Sequence, residues 1–244
     1  MERRIAAGLL ASCALALAAC GDTQGPVAPS GPQVDGWTTP PRIQTVRRDG
    51  TGLLLTGRTD PGGRVVLRAA GDVAYAVGAD EAGLFQVRIA APATDTLFDV
   101  QSQQGQQAQP SPTRLLVTAD PDGPIALVAL GQASRRLDAA GAVDAIDTDG
   151  RARLVSGRAA PDAEVAVVAD GRVLSVPTDA EGRWTLSLPS ATGALAVDGA
   201  AVTEPGAATP ASDGVSVERL ADGWRLGWRA SDGAGQSSWF PSAR

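Results

Sequence analysis

Along most of the chain the apolar residues recur at every second position. Val65, Leu67 and Ala69 alternate with Val66 and Arg68, and Phe85, Val87 and Ile89 alternate with Gln86 and Arg88. The same pattern returns at Val165, Val167 and Ala169, and at Trp184, Leu186 and Leu188. A period of two places alternate side chains on opposite faces of a strand, so each run can bury one face and wet the other. The runs are short and are bounded by Gly, Pro and Asp at regular spacing, which predicts antiparallel β-sandwich architecture. Only Ala139 to Ile146 is alanine-rich enough to suggest a helix, and it reads better as a linker followed by a first strand.

The pattern also repeats at long range. "LLLTGRTDPGGRVVLRAAG" from Leu53 returns about 100 residues later as "RLVSGRAAPDAEVAVVADG" from Arg153, with Gly57, Arg58, Pro61 and Val65 matching Gly157, Arg158, Pro161 and Val165. Upstream, Ile43, Val46 and Gly50 match Val143, Ile146 and Gly150. Downstream, "DEAGLFQVRI" matches "DAEGRWTLSL", "PDGPIALV" matches "ADGWRLGW", and "GQASRRL" matches "GQSSWF". Two copies, residues 37–137 and 138–244, each have the size of an ordinary domain, and each is expected to fold without the other. Placing Asp122-Gly123 and Asp222-Gly223 in two-residue hairpin turns would set Val117 against Val128 and Val217 against Trp228.

The run from Gly157 to Val165, the Asp170-Gly171 turn and Asp179-Ala180-Glu181-Gly182-Arg183-Trp184 together resemble the bacterial Ig-like domains of surface and envelope proteins. The resemblance implies two tandem Ig-like antiparallel β-sandwiches, with Phe85 standing in the first copy where the motif has tryptophan. Such domains serve as spacers, adhesins and accessory modules, so the motif specifies a fold rather than a ligand.

Ahead of the repeats, Met1-Glu2-Arg3-Arg4 is basic, Ile5 to Ala19 is apolar, and Leu17-Ala18-Ala19-Cys20 closes the run. The apolar stretch is shorter than the roughly 20 residues of a spanning helix. Its end resembles the lipobox of bacterial lipoproteins, which implies removal of residues 1–19 and lipidation of Cys20. Two or three acyl chains hold a protein stably on a bilayer at about 0.8 kcal/mol per buried methylene. Residues 20–36, "CGDTQGPVAPSGPQVDG", then read as a flexible tether. Gly21 precedes Asp22, and by resemblance to the enterobacterial sorting pattern the protein is expected at the outer membrane.

Chemistry is scarce. The chain has no histidine and no lysine, and a lipidated Cys20 leaves no thiol in the mature protein, so Ser-His, Cys-His and Ser-Lys nucleophiles cannot be assembled. No catalytic residue, metal ligand or cofactor is therefore expected. A net charge of −6 with scattered arginines offers no clustered basic face for nucleic acid. Asp144, Asp147 and Asp149 ahead of Gly150 have calcium-loop spacing, but no distal bidentate acid follows, and a solvated turn is the simpler reading. Trp224, Leu226 and Trp228 share one face and read as core. Trp239 and Phe240 are neighbours, and in a strand neighbours point to opposite faces. One of them, Trp239 before Phe240, then lies on the surface of the second copy and anchors a partner, or both fold back over a sandwich edge. The expected function is a lipid-anchored, non-catalytic binding or scaffolding module of the cell envelope. Its partner would be an envelope protein or a glycan, and the alternative is a carbohydrate or peptidoglycan binder using exposed aromatics.

Overall fold

The computed structural model describes residues 39–71, 73–190, 192–210, 214–230 and 232–242, and every regular element in it is a β-strand. The expected signal, Cys20 and tether lie outside the described residues.

The first repeat contains β1 (Arg42–Asp49), β2 (Gly52–Arg58), β3 (Arg64–Arg68), β4 (Ala74–Gly78), β5 (Leu84–Ala90), β6 (Thr96–Gln104), β7 (Gln107–Pro110), β8 (Arg114–Val117), β9 (Ile125–Val128) and β10 (Arg135–Arg136). The second contains β11 (Val143–Thr148), β12 (Ala152–Arg158), β13 (Glu164–Ala169), β14 (Arg172–Pro177), β15 (Arg183–Pro189), β16 (Leu195–Val197), β17 (Ala200–Val202), β18 (Val215–Leu220), β19 (Gly223–Arg229) and β20 (Gly235–Pro241). Four antiparallel sheets result. The first repeat forms β1-β2-β5 and β10-β9-β8-β6-β3-β4, with β7 beside β6. The second forms β15-β12-β11-β20-β19-β18 and β14-β13-β16-β17.

The repeated residues do the same physical work in both copies. Val46 lies opposite Leu55 as Ile146 lies opposite Val155, and β1 and β11 are bulged at the same place. Gly57 pairs with Phe85 and Gly157 with Trp184, and the aromatic ring covers the glycine in each case. A Cβ on Gly157 would sit 2.0 Å from the Ala142 carbonyl oxygen and 2.6 Å from the Trp184 ring. In the Asp-x-x-Gly loops, Asp80 Oδ1 accepts from the backbone N–H groups of Ala82 and Leu84, and Asp179 Oδ1 from those of Glu181 and Arg183. Asp170 and Gly171 join β13 to β14 with both φ positive, at 50° and 77°, the conformation a tight type I′ hairpin requires.

Three cores hold the sheets together. The first joins the two sheets of repeat one through Val46, Leu55, Leu67, Phe85, Phe98, Leu115 and Ile125, among others. The second does the same in repeat two around Ile146, Val155, Val167, Trp184 and Trp239. The third lies between the repeats: Leu97, Leu116, Ala126 and Val128 from the first pack on Ala145, Trp224, Leu226, Trp228 and Phe240 from the second. Each large apolar side chain buried there contributes about 1.5–3 kcal/mol. Both repeats lie within one compact unit, Thr38–Arg244, in which each turns a second apolar face toward the other.

That third core corrects the reading of Trp239 and Phe240. Their opposite orientation holds, but neither ring is exposed: Trp239 is 2% accessible in the second core and Phe240 is fully buried in the third. Strand β20 lies inside a sheet covered on both faces, so neither ring presents a partner-binding surface. Trp224, Leu226 and Trp228 do share one face, and it is the face turned to repeat one.

Both expected hairpin registers also shift. Ala221 and Asp222 make the second turn, so Leu220 pairs with Gly223 and Val217 with Leu226. Gly223 is needed in the strand, where a Cβ would strike the Trp239 ring at 2.6 Å. In the first repeat Val117 pairs with Ile125, and Asp122-Gly123 falls in a longer connection.

Candidate functional site: the seam between the repeats

The end of repeat one lies along the start of repeat two, and a buried polar seam joins them. Asp147 is 1% exposed on β11. Its Oδ1 accepts from Ser134 Oγ at 2.6 Å, from Gln236 Nε2 at 3.2 Å and from Ser238 Oγ, and its Oδ2 accepts from the Ser134 backbone N–H at 2.6 Å. Gln236 is fixed in turn by the Gly131 N–H, which donates to its Oε1 at 2.9 Å. Burial pushes the Asp147 carboxyl above its ordinary pKa, and the four donors pull it back down.

Asp144, 2% exposed, takes Arg158 Nε and Nη2, both at 2.8 Å, and the Arg136 backbone N–H at 3.2 Å. Burial raises its pKa and the Arg158 guanidinium opposes the rise. Arg136, itself buried, pairs with Asp138 and donates to the Pro241 carbonyl at 2.6 Å. These carboxylates are clamps: protein donors already occupy their oxygens, which leaves little for a general acid or a cation.

The solvated-turn reading of the three aspartates therefore holds only for Asp149. Its exposed Oδ1 accepts from the Arg151 and Ala152 N–H groups, and those bonds hold its carboxyl below the ordinary range. Asp144 and Asp147 are buried because residues 131–138 of repeat one cover them, which their own spacing could not reveal. Among the described residues no group of three or more His, Cys, Asp or Glu is placed to hold a metal.

Two clefts open beside the seam. One, of about 480 Å³, is lined by Ser134, Arg135, Asp144, Asp179, Arg183 and Trp184. Burial and the neighbouring Arg183 lower the pKa of Arg135, which donates to the Ile43 carbonyl at 3.0 Å. The other, of about 750 Å³, has Val46, Arg47 and Arg48 of β1 on one side and Arg219, Leu220 and Trp224 of repeat two on the other. Arg48 bonds the carbonyls of Thr118 and Asp120, Arg219 pairs with Asp120 at 3.0 Å, and the Arg219 guanidinium lies 5.3 Å from the Trp224 ring centre. Sequence reasoning missed this cleft, although the Arg47-Arg48 pair on a repeated strand was a visible departure between the copies.

No described protein family matches the chain, and no curated protein does. Among solved structures the chain is similar to one described for the host cell surface retention of a 1.5-MDa bacterial ice-binding adhesin. The two are 14% identical, the match covers 83% of this chain and 63% of that one, and the TM-score is 0.25, which carries no argument about fold or activity.

Proposed function

We propose that the protein is a lipid-anchored module of the bacterial cell envelope, built from two Ig-like sandwiches, that binds or scaffolds a partner without catalysis. The observation that carries the reading is the order of segments: a basic start, an apolar run ending in Leu17-Ala18-Ala19-Cys20, a Pro- and Gly-rich tether, and then an all-β body. The saturation of the buried Asp144 and Asp147 by protein donors supports a structural rather than catalytic use of those acids. A glycan-binding role through Trp239 and Phe240 loses its residues, since both rings are buried. By the sorting resemblance the anchor is in the outer membrane.

The test is phase partition of cell envelopes. Wild-type protein enters the detergent phase, and Cys20→Ser leaves the chain unprocessed or in the aqueous phase. Equal aqueous partition of both forms would overturn the anchor.

A further inference from the structure

The two repeats differ in what lies beside their first strand. In repeat two, β11 is paired on both edges: Ile146, Asp147 and Thr148 take β20, with Ile146 opposite Trp239 and Asp147 opposite Ser238. In repeat one, β1 has the same bulge and the same register on β2, but it ends its sheet, and among the described residues no strand pairs with its other edge. The stretch equivalent to Ile146–Thr148 is Val46, Arg47 and Arg48, and these three residues line the 750 Å³ cleft. The other outermost strand of this sheet, β5, carries no such argument, because its counterpart β15 is outermost in the second repeat as well.

We propose that this edge of β1 receives an extended acidic peptide segment by strand addition, at the place where β20 completes the second repeat. Main-chain hydrogen bonds would supply the affinity, and alternate side chains the specificity. Arg47 is exposed on the outer face of β1, so a residue added opposite it faces a guanidinium, and an acid there gains a cross-strand ion pair. Val46 points to the first core, so the residue opposite it is apolar, as Trp239 is opposite Ile146. Arg136 and Arg219 in the same cleft are already paired with Asp138 and Asp120, so the preference for an acidic strand is set by Arg47. Charged edge residues normally discourage association between strand edges. Here they set like charge against like when two copies of β1 approach, and leave an oppositely charged strand as the favoured partner.

The proposal names the partner class for the binding role given above and rests on that role, but its test is independent of the lipid anchor. Fluorescein-labelled Glu-Val-Glu-Val-Glu-Val is titrated against the full chain in detergent and followed by anisotropy. Parallel titrations use the Lys-Val peptide and a Glu-Val peptide N-methylated at alternate residues. The expected result is binding of the acidic peptide, weakened about tenfold or more by Arg47→Glu and less by Arg47→Ser, with neither control peptide bound. Absence of binding, equal binding of the lysine peptide, or equal binding of the N-methylated peptide each overturns it, the last because charge alone would then suffice. If partition still tracks Cys20 in that event, the anchored-module reading stands and only the strand-addition site is lost.

Discussion

The last three strands of each repeat form a meander of the same strand order, and it joins a different sheet in each. In repeat one, β8-β9-β10 continues the sheet of β3, β4 and β6 through the pairing of β8 with β6. In repeat two, β18-β19-β20 joins the opposite sheet through the pairing of β20 with β11. The connections explain the difference. Only residues 111–113 separate β7 from β8, and three extended residues reach about 10 Å, roughly the spacing of two packed sheets, which leaves nothing for reorientation. Residues 203–214 separate β17 from β18, ample to cross. The longer connection passes close over β19 and β20, where Gly227 and Gly235 make room: a Cβ on either would lie within 2.8 Å of Thr209 or Pro210. Linker length thus decided which sheet each meander extended, and the two extended sheets then met face to face in the third core.

The sharpest way to break this arrangement is at the centre of that core. Trp228 is 1% exposed, and its ring packs among residues of both repeats. Trp228→Ala should cost about 3–5 kcal/mol in denaturant unfolding of the full chain, the usual range for a buried aromatic. A cost below about 1 kcal/mol would mean that the two faces merely touch.

Next in size is the glycine beneath the aromatic. Gly157→Ala forces a methyl against a backbone oxygen and the Trp184 ring, and Gly57→Ala does so against the Arg42 oxygen, at 2.3 Å, and Phe85. Each should lower stability by about 1–3 kcal/mol. Comparable losses, read from chemical denaturation, would show that the two copies use the motif identically, and a neutral Gly57→Ala would separate them.

Asp147 distinguishes the repeats by pH, since Arg47 stands at the matching position. A carboxyl whose pKa is raised by folding favours the native state when protonated. Its contribution is complete below its ordinary pKa and is lost as the pH rises through the folded value. Asp144 acts in the same direction, whereas Asp149 and Asp179, with lowered values, stabilise above the ordinary range and lose their effect on acidification. Asp147→Asn should remove up to about 1.4 kcal/mol per pH unit from the fall of stability with rising pH within that window. An unchanged pH profile would show that Asp147 does not titrate across it.

The smallest effect is expected at the surface bridge between the repeats. Arg219→Ala breaks the pair with Asp120, in which the arginine side chain is 61% exposed, and uncovers Trp224. The cost should stay below about 1 kcal/mol and shrink in salt, as a titration at two ionic strengths would show.

Much of this organisation was legible in the sequence, and the misreadings share one cause. Alternation gave the strands, the 53–71 and 153–171 match gave the repeat, and the opposite orientation of Trp239 and Phe240 followed from strand geometry. The reading then assumed one core per copy. Strands β8 and β9, "RLLV" and "IALV", are almost wholly buried, and a continuous apolar run of that kind marks a strand covered on both faces. Because both of their faces are apolar, every register pairs apolar residues, and the self-consistency of the expected hairpin carried no information. The buried acids were hidden for a related reason: Asp144 finds its donors on Arg136 and Arg158, and Asp147 on Ser134 and β20, segments that only the folded chain brings together.

The shared core is tested most directly by native-state hydrogen exchange of the full chain across a denaturant series, reading the amides of β2 in repeat one and β12 in repeat two. If the repeats form one cooperative unit, both sets of amides open with the same free energy and the same denaturant dependence, and Trp228→Ala lowers both by the same amount. Loss of protection in β12 while β2 keeps its wild-type value would contradict the account.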